Sequence, residues 1–337
     1  MRRNRKAAGR RGPAARAGRI PALCMALLLL CLCGCGTDAA APPRRSVVLI
    51  VKSTESEFFL SVFAGARAAA TEYNLDLTID GPETEEDYEA QNRMIEEAVE
   101  AGAEAIVFSA IDYENNAAAI DAAAQAGVRI VSIDSGVGSG QVSTYIGTDN
   151  YAAGQMAAQA ALEGVDGPLY VGIVNYDEST ANGQERERGA LDALADSGRA
   201  QITAVVNTLA EAGQARTDTI QLLAAHPAIN VLMASNEPTS VGAAQAVQDM
   251  ALSDDVFYVG FDSNVVTIDG LQDGFVDALI VQNPYAMGYL GVESAYKLLA
   301  GQGGGLEPMV DTSTQIVNRE NLFTMDVQKA LFAFDQH

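Results

Sequence analysis

"LIVKSTESEFFLSVFAGARAAA", residues 49–70, starts as a strand and finishes as a helix. Leu49, Ile50 and Val51 form an unbroken apolar run, and an alanine-rich stretch follows Phe59. Between them lies a polar knot, Lys52 to Glu57, and then two adjacent phenylalanines, Phe58 and Phe59. Neighbouring residues on a helix point about 100° apart. At most one of the pair fits a buried stripe easily, so the other needs a role beside all those side-chain oxygens.

The same sequence of strand, polar turn and helix recurs along the chain. Strands are expected at "SVVLIV" (46–51), "LDLTID" (75–80), "EAIVFS" (104–109), "VRIVSI" (128–133), "LYVGIV" (169–174), "ITAVVN" (202–207), "NVLMAS" (230–235), "VFYVGF" (256–261) and "DALIVQ" (277–282). Most are continuous apolar runs, as strands covered on both faces should be. Helical stretches such as "EDYEAQNRMIEEAVEAG" (86–102) separate them, which implies parallel sheets with right-handed crossovers. "QVSTYIGTDN" (141–150) is a further strand-like stretch that arrives without an intervening helix. That break favours an α/β chain of two doubly wound lobes over one long sheet.

In open parallel sheets ligands bind beyond the carboxyl ends of the strands. The expected ends deliver Ser53 to Ser56 with Phe58 and Phe59, then Asp134 and Ser135, Asp149, a helix carrying Arg186 and Arg188, Asn236, Asp262, and Gln282 with Asn283. Asp, Asn and Ser are also the preferred helix N-caps, so each alone has a capping role open to it. Together the acids, arginines, amides and aromatic pair suit a polyol: carboxylates accept from hydroxyls, arginine donates in pairs, and aromatic faces cover ring C–H.

Composition excludes several classes. The 337 residues are 48% hydrophobic and 19% charged, with no signature of disorder. Eight of the 21 basic residues lie in the first 19 positions, and no acid precedes Asp38. Without residues 1–34 the balance is 13 basic against 44 acidic residues, a net charge of −31 that repels nucleic acid and anionic lipid heads. All four cysteines lie between residues 24 and 35, and the two histidines, His226 and His337, have no metal-ligand spacing. No nucleophile or proton shuttle stands out, so neither enzyme activity, nor a cofactor, nor a metal is expected.

The quoted stretch belongs to a set of ordered motifs: "FF" after the first strand, "IVSID", "YIGTDNYAAG", "RERGALDAL", "LMASNEPTSVGA", "YVGFD" and "ALIVQNPYAMGYLGVES". Together they resemble the ribose-type branch of the bacterial periplasmic sugar-binding proteins, the substrate-binding components of ABC importers, over residues 46 to about 320. The resemblance implies the type I periplasmic binding protein fold, with two lobes joined by three hinge crossovers. One lobe would hold residues 46–148 plus 283–309 and the other 149–282 plus 310–337. Ligand contacts would fall on Phe58, Phe59, Asp134, Asp149, Arg188, Asn236, Asp262 and Gln282. The chain departs from the ribose pattern at Ser56, Glu57, Ser135 and Leu209 to Glu211, so ribose itself does not follow. A neutral sugar or polyol delivered to an ABC permease is the expected function, by a monomer. Ligand sensing for a chemoreceptor, membrane kinase or quorum signal is the alternative.

The amino terminus reads as an address. Arginines and lysine fill residues 2–19, and an apolar run covers Ile20 to Leu32, too short for the about 20 residues of a spanning helix. A basic head and short apolar core are the pattern of an export signal over residues 1–34. "LCGC" (32–35) resembles the bacterial lipobox, which makes Cys35 the lipidated residue. "GTDAAAPPRR" (36–45) then reads as a tether of at most about 35 Å. An extracytoplasmic protein held to the cell membrane by lipid is expected.

Overall fold

Residues 44–331 are described by a computed structural model. The leader, Cys35 and the tether through residue 43 lie outside the described residues, as does His337. Among the described residues no helix is long and apolar enough to cross a membrane.

The quoted stretch forms β1 (Ser46–Ile50) and α1 (Glu57–Glu72). There follow β2 (Asp76–Asp80), α2 (Tyr88–Glu100), β3 (Ala105–Phe108), α3 (Ala117–Gln125), β4 (Arg129–Ile133) and β5 (Val142–Gly147). Next come α4 (Asn150–Gly164), β6 (Leu169–Tyr176), α5 (Ala181–Asp196), β7 (Ala200–Thr208), α6 (Ala212–Ala225) and β8 (Val231–Ala234). The chain continues through α7 (Glu237–Asp249), β9 (Phe257–Phe261), α8 (Val265–Asp273), β10 (Ala278–Val281) and α9 (Pro284–Leu299). It ends in β11 (Met309–Asp311), β12 (Gln315–Asn318) and α10 (Met325–Leu331).

Two six-stranded sheets result, in the orders β11-β5-β4-β3-β1-β2 and β12-β10-β9-β8-β6-β7. The first is parallel throughout; the second is parallel except for β12, which runs against β10. Both are doubly wound around a point where the chain reverses its direction of travel, between β1 and β3 and between β6 and β8. That point opens a crevice at the carboxyl ends of the strands.

Continuous apolar strands are explained by what they touch. Val47 and Leu49 face a core built with α1 and α9, whereas Val48 and Ile50 face one built with α2 and α3. The second sheet repeats this, with Val171 and Ile173 on one face and Val174 on the other. Both sheets have helix pairs in very close approach. A Cβ on Gly65 or Gly288 would overlap a carbonyl oxygen across the α1–α9 crossing, and one on Gly154 or Gly189 would do so across α4–α5.

The chain passes between the sheets three times. The stretch 141–150 divides between β5, in the first sheet, and the start of α4, which packs against α5 of the second. The second passage lies between β10 and α9, since α9 packs against α1 and β4. The third lies at residues 312–314: β11 pairs with β5, so Val310 and Asp311 belong to the first sheet and not to the lobe that the motifs suggested. Thr312 donates its amide to the Gly147 carbonyl at 2.9 Å, and the Thr148 hydroxyl donates to Gln282 Oε1 at 2.8 Å, so the passages touch one another.

Candidate functional site: the cleft between the sheets

Two aspartates mark matching strand ends. Asp134 follows β4 and Asp262 follows β9, and both adopt left-handed backbone, with φ of 57° and 63°. Their amides are tied to the neighbouring strands, to the Ile146 and Ile280 carbonyls at 3.1 and 2.9 Å. Asp tolerates this conformation better than most side chains. It turns each carboxylate off the strand direction and into the space between the lobes.

The surroundings of the two carboxylates differ. Asp134 accepts from Ser109 Oγ at 2.8 Å and, across the cleft, from Asn182 Nδ2 at 3.3 Å, with Lys52 Nζ at 3.8 Å. Lys52 is in turn paired with Glu85 at 2.8 Å, both fully enclosed. Burial alone would lower the Lys52 ammonium, but Glu85, Tyr176 and Asp134 outweigh it and hold the lysine above its ordinary range. Asp262 accepts from Gln282 Nε2 at 2.7 Å. Burial pushes its carboxyl up to about 7 against the opposing pull of Arg186 and Gln282.

Arg186, 2% exposed, is held on three sides. Nε donates to Asn150 Oδ1 at 2.9 Å, Nη1 donates to the Ser235 carbonyl at 2.7 Å, and the guanidinium lies 4.6 Å from the Phe261 ring centre. Its Nη2 is buried without a partner, and so is Asn236 Nδ2. Asn236 Oδ1 is used by the Thr239 amide and hydroxyl, at 3.0 and 2.6 Å, as the N-cap of α7. Its amide group is left as a free donor.

Phe58 and Phe59 pack edge to face, with ring centres 5.1 Å apart and planes 86° apart. Both belong to the first core and both border the cavity, along with Lys52, Glu85, Tyr176 and Glu237. These groups, drawn from both lobes, wall a small cavity. Contacts between the lobes shut it: Tyr113 donates its amide to the Ser179 carbonyl at 3.0 Å, and Ala210 donates its amide to Glu86 Oε1 at 3.1 Å.

Six of the eight positions expected from the motifs thus meet here: Phe58, Phe59, Asp134, Asn236, Asp262 and Gln282. Two do not. Asp149 is exposed and accepts from the Ala152 amide at 2.9 Å as the N-cap of α4; the next residue, Asn150, turns inward to hold Arg186. Arg188 is exposed and lies over the Tyr151 ring at 5.1 Å. Residues two apart on a helix lie about 200° apart, so only one of Arg186 and Arg188 can face the cleft. Arg186 shares that face with Asn182, one turn earlier. Lys52, Glu85, Tyr176 and Asn182 were missed. Lys52 carries a signal, since it directly follows a strand; Glu85 sits in an acidic loop with nothing to separate it from its neighbours. Among the described residues there is no cluster of histidine, cysteine or acids suited to a metal.

A profile of the periplasmic binding protein domain family matches residues 47–303. The chain is 27% identical over 289 residues to the D-ribose/D-allose-binding protein of Pseudomonas aeruginosa, covering 83% of this chain and 90% of that one. It superposes with a TM-score of 0.83 on a carbohydrate transporter solute-binding protein of Agrobacterium radiobacter in complex with D-arabinose, at 29% identity, covering 86% of this chain and 100% of the other. An ABC transporter solute-binding protein of Agrobacterium vitis with bound D-fucose gives 0.82 at 27% identity, covering 85% and 99%. Twin doubly wound sheets, three passages between them and a polar cavity at their facing strand ends agree with these matches: the chain belongs to the periplasmic binding protein family and is of its ribose type.

Proposed function

We propose that this chain is a lipid-anchored receptor outside the cytoplasm that encloses one neutral monosaccharide or polyol between its lobes and presents it to an ABC importer. The observation that carries the reading is the pair of buried, unpartnered donors, Arg186 Nη2 and Asn236 Nδ2, beside the carboxylates of Asp262 and Asp134. A buried donor without an acceptor costs about 1–3 kcal/mol, so the site favours a ligand that brings oxygens. A hydroxyl both accepts from such donors and donates to a carboxylate. The phenylalanine pair supplies an apolar wall for ring C–H groups.

Charge and the ligands of the structural neighbours narrow the class. Four carboxylates, Glu85, Asp134, Glu237 and Asp262, border the cavity against two cations, Lys52 and Arg186, so an anionic ligand meets net repulsion. The D-arabinose and D-fucose held by the structural neighbours support a pentose or a six-carbon sugar.

Titration calorimetry over D-ribose, D-allose, D-arabinose, D-fucose and glucose 6-phosphate tests the ligand class. At least one neutral sugar should bind at about micromolar or tighter, and the phosphate should not. No binding by any neutral sugar, or a preference for the phosphate, rejects it. Anchoring through Cys35 predicts that Cys35→Ser leaves the chain unprocessed or free of the membrane; mass spectrometry finding lipid elsewhere, or none, rejects that part.

A further inference from the structure

The amino terminus of α1 is capped from the opposite lobe. Its N-cap residue, Ser56, makes no side-chain bond to its own helix. Instead Glu237, the first residue of α7, reaches across the cleft. Glu237 Oε2 accepts from Ser56 Oγ at 2.7 Å and from the Phe58 amide at 3.1 Å, while Asn264 Nδ2 donates to Glu237 Oε1 at 2.9 Å. Asn264 is itself fixed as the N-cap of α8, so the carboxylate is aimed by its own lobe and spent on the other. Glu237 is 7% exposed. Glu57 beside it is raised, by burial and then by Glu237.

We propose that Glu237 is a positioning residue: a trans cap that completes α1 only when the lobes close, and so sets the affinity of the site for every ligand without selecting among them. The inference rests on the cleft being the sugar site. A carboxylate is favourable at a helix amino terminus because it meets free N–H groups and the positive end of the helix dipole. Here that benefit exists only in the closed form. It also fixes the start of α1, and with it Phe58 and Phe59, against the cavity. A group that stabilises one of two states shifts the apparent affinity of any ligand bound by that state by a common factor.

The test uses the full chain with Glu237→Ala, Glu237→Gln and Ser56→Ala, each checked for native circular dichroism. Calorimetry with D-ribose, D-allose and D-arabinose gives the affinities; amide hydrogen exchange at Phe58 is read with and without the tightest of these sugars. Glu237→Ala should weaken every sugar that the parent binds by one factor, about 10- to 100-fold, as expected for charge-assisted hydrogen bonds. Glu237→Gln should recover part of it, and Ser56→Ala should lose about 2- to 5-fold. With sugar bound the Phe58 amide should exchange faster in Glu237→Ala than in the parent, and without sugar the two should exchange nearly alike. A loss confined to one sugar makes Glu237 a direct ligand contact and overturns the proposal, as do unchanged affinities or unchanged sugar-bound Phe58 exchange. If the parent binds none of the three sugars, the ligand class has failed; if it binds them and the sugar-bound Phe58 exchange is the same in Glu237→Ala, the trans cap has failed.

Discussion

Asp134 and Asp262 occupy equivalent places in two sheets of the same winding, with almost the same backbone twist, yet they are set in opposite electrostatic surroundings. Asp134 has a cation within 4 Å, Lys52, and takes a bond from Asn182 of the other lobe. Asp262 is bonded by the neutral Gln282, and burial raises it to about 7. The first lobe adds an aromatic pair; the second adds Arg186 and Asn236, whose unused donors point at the same cavity. A repeated scaffold supplies the position of a strand-end carboxylate. The chemistry comes from the helix and loop residues around it, and these have diverged.

The sharpest break of this comparison is at the arginine. Arg186→Ala should cost about 2–4 kcal/mol of sugar affinity, because it removes a donor and strands the Asn150 and Ser235 oxygens that it serves. Arg188→Ala, two residues on, should change affinity by less than about 0.5 kcal/mol. Calorimetry on the two variants decides it; equal losses would put both arginines on the ligand.

The contrast between the aspartates is sharpened by pH. Because the folded protein raises Asp262, it prefers the protonated form. The stability from this group is therefore complete below the ordinary aspartate value of 3.8 and is lost as pH rises through about 7. At about 1.4 kcal/mol per pH unit, the loss is a few kcal/mol. Asp262→Asn, which keeps the shape and tolerates the same backbone, should remove that dependence. Sugar-free denaturant unfolding at pH 4 and pH 8 should show the variant more stable than the parent at the higher pH and about equal at the lower. Parallel pH profiles would mean that Asp262 is ionised in the fold at no cost.

A smaller effect tests what the lobes share. Gly65→Ala and Gly154→Ala each push a methyl group into a backbone carbonyl at a helix crossing, and each should destabilise the fold by about 1–3 kcal/mol. Similar shifts in denaturant midpoint are expected from both, since the crossings are built alike. A variant that unfolds like the parent would show that its crossing can relax.

Much of this architecture is legible in the chain, for a physical reason. Strands buried on both faces must be apolar throughout, so "SVVLIV" and "NVLMAS" stand out, and "IVSID" and "YVGFD" end where the apolar run does. β11 and β12 were not foreseen because each has at most four residues, half-exposed and without apolar continuity. The polar side chains are harder. Whether Arg186 or Arg188 faces inward depends on helix phase, which "RERGALDAL" leaves open because it has small residues on both sides. Asp149 reads as a strand end only if β5 runs two residues too far. The Lys52–Glu85 pair joins residues from separate loops, and its meaning lies in a distance.

The exchange of helices between the sheets has a consequence for how the polypeptide is made. α4 leaves the first sheet to pack on the second, and α9 leaves the second to pack on the first. The apolar face formed by Val47, Leu49 and Val131 is sealed by Met287, Val292 and Ala295. A nascent chain that has emerged only as far as β10 therefore carries a first sheet with one side covered by α1 alone. Contacts this far apart in sequence are slow to form. Completion of the amino-terminal half waits on the synthesis of α9, and the interval before it is when a holding chaperone would find the chain open.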